Sequence, residues 1–130
     1  MIARDKWIKA CAGSKLGEKS HLSMDVHFSG ELIAVVVIRF NGLIYAYRNQ
    51  CVHMVRRLDG ENGRVFDKNG LLLRCSMHGV VYQPETGESL STLCHGEKLS
   101  PIKVIEQDGD IYFADKRVKG IKRGNYTMPG

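Results

Sequence analysis

Four side chains in two short segments have the types and spacing of metal ligands. Cys51 and His53, then Cys75 and His78, form the pattern C-x-H … C-x-x-H. Thiolates and imidazoles favour zinc or iron–sulfur centres, whereas oxygen donors would favour calcium or magnesium. A structural zinc site usually draws its cysteines from one close pair and its histidines from another. Here each segment carries one of each type. Mixed pairs suit an asymmetric centre of two metal ions, one bound by both cysteines and the other by both histidines. A single zinc held by all four is the alternative.

Elements of regular structure must hold these segments side by side. The chain reads as short apolar runs between turn residues, with strands expected at 7–12, 22–28, 32–40, 43–48, 64–66, 71–74, 80–83, 102–106 and 111–114. Asn41-Gly42 predicts a type I′ hairpin, because both turn positions need positive φ. Asn69-Gly70, Asp108-Gly109 and Glu85-Thr86-Gly87 supply further turns. No window of useful length keeps a 3.6-residue period. The expectation is an all-β chain, an antiparallel β-sandwich or barrel. Each ligand pair directly follows a strand. In extended chain, residues two apart point the same way, so Cys51 and His53 can reach one centre together.

The stretches "NQCVHMVRRLDGENG" and "LLLRCSMHGVVYQPETGESL" resemble the Rieske domain family. The likeness includes Gly79 after the second His and the turn "PETGE". Upstream, "ELIAVVVIRFNGLIYAYRN" is similar to the strand pair before the family's first ligand loop, and the likeness covers roughly residues 5–115. It is nearest to the soluble Rieske-type ferredoxins. The resemblance implies a small cluster-binding subdomain of two ligand loops, about residues 49–83, mounted on an antiparallel base. It also implies one [2Fe–2S] cluster per chain, with Cys51 and Cys75 on the inner iron and His53 and His78 on the exposed one.

Departures from the high-potential members bear on the redox regime. Where those place extra cysteines, this chain has Arg56 and Met77, so their disulfide cannot form. The serine that they use as a donor to a sulfide is Val80 here. The resemblance therefore implies a potential towards the low end of roughly −150 to +300 mV. Tyr82 and Gly79 are candidates for the shell around the cluster, and Tyr82 either bonds to a ligand sulfur or simply packs. Arg56, Arg57 and Met77 are candidate docking residues beside the electron exit, with an ordinary solvated arginine pair as the alternative. Relatives usually have Gly where Val55 stands. A β-branched residue is costly at positive φ, so the first loop differs there if that conformation is required.

The other candidates read as structural. Cys11 and Cys94 alternate with apolar residues, as small buried hydrophobes do, and a second metal site at Cys94-His95 is the weaker reading. His21 and His27 read as surface or core-edge residues.

A chain of 130 residues suits one domain with a single core. Its longest aliphatic stretch, 32–38, suits a buried strand and not a membrane span, and the start lacks the apolar core of a secretory signal. With two of the four cysteines claimed by the ligand motif, a disulfide framework is not indicated and a reducing, cytoplasmic setting follows. All fourteen acidic residues and fourteen of the nineteen basic ones lie in 1–115. The net charge of +5 therefore belongs to 116–130, read as a basic tail beyond the 1–115 domain. One tail is not a basic face, so nucleic acid is not indicated.

The function expected from the resemblance is one-electron transfer from a flavin-dependent reductase to a terminal oxygenase. The chain is expected not to be an enzyme itself. No Gly-rich dinucleotide loop is present, and 130 residues leave no room for a catalytic iron domain. A small subunit of a reductase, such as a nitrite reductase, is the second reading. A non-redox zinc-binding interaction module is the third.

Overall fold

The computed structural model describes residues 6–50, 58, 65–75, 80–90 and 97–122. Its spine is an antiparallel meander of three strands, β2 (His21–Phe28), β3 (Glu31–Phe40) and β4 (Leu43–Arg48). Register runs without a break from His21↔Ile38 to Phe28↔Glu31, and from Val35↔Arg48 to Phe40↔Leu43. Asn41 and Gly42 both have positive φ (53° and 80°), as the expected hairpin turn requires.

β10 (Val118–Ile121) lies on the outer edge of β2, and β7 (Pro101–Ile102) on that of β4. The large sheet therefore has the order β10-β2-β3-β4-β7. A second sheet joins β1 (Ile8–Ala12), β9 (Asp110–Phe113) and β8 (Val104–Gln107) in the order β1-β9-β8. A small hairpin of β5 (Leu73–Arg74) and β6 (Val81–Tyr82) completes the architecture, and every pairing is antiparallel. A single 3₁₀ turn, Gly13–Lys15, follows β1. No helix among them is long and apolar enough to cross a membrane.

Three elements differ from the sequence reading, each for a local reason. The strand expected at 102–106 divides, because Ile102 belongs to the large sheet and Val104 to the small one. The chain changes sheets at Lys103. There its N–H donates to Asp115 Oδ2 (3.1 Å) and its carbonyl accepts from the Ala114 N–H (2.9 Å). The strand expected at 71–74 begins only at Leu73, since the Leu71 and Leu72 N–H groups donate to Asp67 Oδ1. At 64–66 only the bridge Phe66↔Leu73 is found, and Arg64 lies outside the described residues.

The first part of the basic stretch beyond 115 is strand. The Arg117 carbonyl accepts from the Ser29 N–H (2.9 Å), and the Lys122 N–H donates to the Asp25 carbonyl (2.9 Å). Between them β10 pairs with β2, so the sheet continues to Ile121. Residues 123–130 lie outside the described residues.

Over residues 35–38, β3 is buried on both faces, which accounts for the aliphatic run there. Ile33, Val35 and Val37 face the small sheet and pack with Met24, Val26, Ile111 and Phe113 in a first core. Val36 and Ile38 point the other way, into a second core with Tyr47, Leu58, Val65, Leu73, Cys75, Val80, Tyr82 and Leu99. Period-two alternation normally gives one wet face. Here the β5–β6 hairpin and its neighbours cover that face.

Candidate metal centre

The second ligand segment starts from the β5–β6 hairpin. Leu73 pairs with Tyr82 and Arg74 with Val81. One step further on, the Cys75 N–H donates to the Val80 carbonyl at 2.9 Å. Cys75 and Val80 thus flank 76–79 as a closed pair, and the Cys75 side chain is fully buried. His78, Met77 and Gly79 lie outside the described residues.

The first ligand segment leaves from the end of β4. Asn49 continues the β3–β4 ladder by one rung, its N–H donating to the Ala34 carbonyl at 2.9 Å. Its side chain is turned inward: Oδ1 accepts from the Leu58 N–H at 2.7 Å in the interior. Leu58 is fully buried in the second core. Cys51, His53, Val55, Arg56 and Arg57, between these two anchors, lie outside the described residues.

The bases of both segments share one apolar cluster. Leu58 from the first and Cys75 and Val80 from the second pack with Val36, Ile38, Tyr47 and Tyr82. Tyr47 adds a polar tie: its hydroxyl donates to the Pro84 carbonyl at 2.8 Å, inside the protein. β4, which leads into the first segment, is thereby bonded to the turn that follows the second. Burial holds the Tyr47 phenol above its ordinary range, with Tyr45 and Glu85 adding to the effect. Gly87 makes this approach possible. A Cβ there would come within 2.8 Å of Tyr47 Cε1, and its φ of 77° also favours glycine. Tyr82 is fully buried, and its ring packs in the second core.

Of the four expected ligands, Cys75 is the one within the described residues, and no three His, Cys, Asp or Glu side chains converge among those. What is visible suits an iron–sulfur group. A fully buried thiol in an apolar cluster is a soft donor of the kind that iron takes.

The remaining candidates fall into the framework. Cys11 is half-buried against the first core, and burial pushes its thiol up against the opposing influence of Arg39. His21 is buried at the start of β2 and His27 is exposed. Cys94 and His95 lie outside the described residues. Sequence reasoning missed Asn49, Leu58 and Tyr47. The signal for Asn49 was an amide just past the end of an apolar strand, two residues before an expected ligand.

Comparison with known proteins agrees with this architecture. The model of the Rieske [2Fe-2S] domain matches residues 6–106. No curated protein matches the chain. Among solved structures, a chain in a complex of reduced oxygenase and oxidized ferredoxin in carbazole 1,9a-dioxygenase is 25% identical. The match has a TM-score of 0.66 and covers 86% of this chain and 95% of that one. The ferredoxin of carbazole 1,9a-dioxygenase from Nocardioides aromaticivorans IC177 is 23% identical, with a TM-score of 0.68 and coverage of 85% and 99%. A chain in a fluorene-bound oxygenase–ferredoxin complex of a carbazole 1,9a-dioxygenase has the same TM-score of 0.68 at 19% identity. That match covers 90% of this chain and only 30% of the other. With the family model spanning most of its length, the chain belongs to the Rieske [2Fe–2S] domain family, and its cofactor is one [2Fe–2S] cluster.

Proposed function

We propose that the protein is a Rieske-type ferredoxin, a one-electron carrier from a flavin-dependent reductase to a terminal oxygenase, without catalytic activity of its own. The observation that carries the reading is the near end-to-end match, 95% of the other chain, to a component of an oxygenase–ferredoxin complex. When bound, the [2Fe–2S] cluster takes up and releases one electron. Cys51, His53, Cys75 and His78 would hold it, through two thiolates and two imidazoles. Two neutral imidazoles replace two anionic thiolates, so the oxidised centre carries less negative charge and accepts an electron more readily than an all-cysteine cluster. The second core keeps water from the Cys75 thiolate, and its apolar surroundings bear on the potential. With Val80 in place of a donor and no disulfide across the loops, the potential lies towards the low end of the Rieske range. Arg56, Arg57 and Met77 would contribute to docking of the redox partner.

Iron and acid-labile sulfide analysis, with EPR of the dithionite-reduced protein, tests the cofactor. Two irons per chain and a rhombic signal are expected, and a colourless protein with one zinc would refute the reading. For the carrier role, a reconstituted mixture of reductase and oxygenase should form product only when this protein is present. Equal turnover without it would count against the proposal.

A further inference from the structure

We propose that Asn49 is a positioning residue for the metal centre, an inference that rests on reading Cys51 and His53 as ligands. Asn49 is 3% exposed. Its backbone is fixed in the sheet by the bond to Ala34, and its side chain reaches two further groups. Oδ1 accepts from the Leu58 N–H at 2.7 Å, and Nδ2 lies 3.5 Å from Ser23 Oγ. Ser23 and Leu58 are both fully buried. One amide therefore fastens both ends of the 50–57 segment, which carries the first ligand pair, to β3, to β2 and to the second core.

The chemistry requires this residue type or a close mimic. The Leu58 N–H sits in an apolar cluster, where an unmade hydrogen bond incurs the full desolvation penalty. Ser23 can donate or accept, and Leu58 only donates. The side chain at 49 must therefore bring an acceptor to Leu58 and any polar group to Ser23. Asn does both, as would Asp. Fixing the ends of a loop removes conformations from it, and the first ligand pair is only two and four residues from Asn49. Positional freedom at Asn49 would thus be felt at the metal.

The test uses the holo-protein. Asn49→Leu, similar in volume, removes acceptor and donor together, whereas Asn49→Asp keeps an oxygen for Leu58. Asn49→Leu should release iron to a chelator about tenfold faster, the factor that one lost buried hydrogen bond amounts to. Its reduced rhombic EPR signal should broaden. Asn49→Asp should restore both to near wild type. A purely structural role would lower the melting temperature of Asn49→Leu while leaving the EPR line shape as in the wild type, and that result overturns the inference. If Asn49→Leu does not accumulate, hydrogen exchange resolved at Leu58 in the wild-type holo-protein decides the matter. Exchange only through global unfolding supports the anchor, and rapid exchange overturns it. A wild-type protein lacking the rhombic signal refutes the ferredoxin reading itself. A wild-type protein that has the signal, with an indistinguishable Asn49→Leu, refutes only the role of Asn49.

Discussion

Replacing Tyr47 by Phe removes a single oxygen and asks whether the tie between β4 and the turn after β6 stabilises the base of the site. Tyr47 is 2% exposed and its hydroxyl donates to the Pro84 carbonyl at 2.8 Å. Because the ring is retained, no large cavity opens and the packing against Gly87 is preserved. What is lost is the donor to a buried carbonyl, a change of about 1–2 kcal/mol. For a chain of 130 residues, each kcal/mol corresponds to about 4 °C in the melting midpoint. The expected fall is therefore about 6 °C.

Melting should be followed by far-UV circular dichroism on the holo-protein at one fixed scan rate, since a cofactor-bearing protein need not unfold in two states. The pH dependence supplies an independent check. Burial raises the Tyr47 phenol above the ordinary value of about 10, so the folded state favours the protonated form. The stabilisation is fully present below about pH 10 and is lost as pH rises towards the folded value. Wild type should therefore lose stability above pH 10 more steeply than Tyr47→Phe. Tyr45→Phe is the control for the melting midpoint alone, since the Tyr45 phenol is itself raised by burial. A Tyr47→Phe protein that melts within about 1 °C of wild type, with the same alkaline slope, would refute this reasoning.

Two further perturbations act elsewhere. Asp115→Asn should cost about 2 kcal/mol at pH 7, read as a lower urea midpoint, because the nearly buried carboxylate accepts from Lys103 N–H and from the Arg117 backbone, Nε and Nη2; the figure stays modest because Arg117 is 44% exposed and solvent screens the pair. The Arg117 guanidinium holds the Asp115 carboxyl well below the usual carboxylate range, so this stabilisation is present above about pH 4 and fades as pH falls, and the variant should show a flatter acid limb. Arg56→Glu with Arg57→Glu should slow electron delivery to the oxygenase at low ionic strength, where screening is least, and leave the visible spectrum unchanged. Equal rates would reject the docking role of these arginines.

Much of the frame was legible because local chemistry determined it. The β2–β3–β4 meander follows from alternating or continuous apolar runs and from Asn41-Gly42, whose turn type needs no tertiary information. The division at Lys103 was not legible. Residues 102–106 read as one strand, and only the distant Asp115 carboxylate, which satisfies the Lys103 N–H, makes a change of sheet affordable there. β10 was hidden for a related reason. Its segment is dense in Lys and Arg, and charge suggested a solvated tail. Arg117 instead folds back onto Asp115 and lies 4.7 Å over the Phe28 ring, which frees Val118 to be buried. The candidate ligand pattern could be read from residue types alone, whereas Asn49 and Tyr47 bond to partners nine and thirty-seven residues away.

β3 explains how a short chain can bring together the bases of two candidate ligand segments. Ile33, Val35 and Val37 pack against the small sheet through the first core, and Val36 and Ile38 pack against the bases of both segments through the second. The first segment departs from β4, bonded directly to β3. The second departs from a hairpin packed on the opposite face of β3 from the small sheet. Their separation is therefore set by strand spacing and side-chain packing, both nearly incompressible, and only secondarily by the sequence of either loop. The frame fixes where the segments 50–57 and 76–79 begin and end. A truncation in the second core, such as Leu58→Ala, would act on both segments at once, because neither base rests on a core of its own.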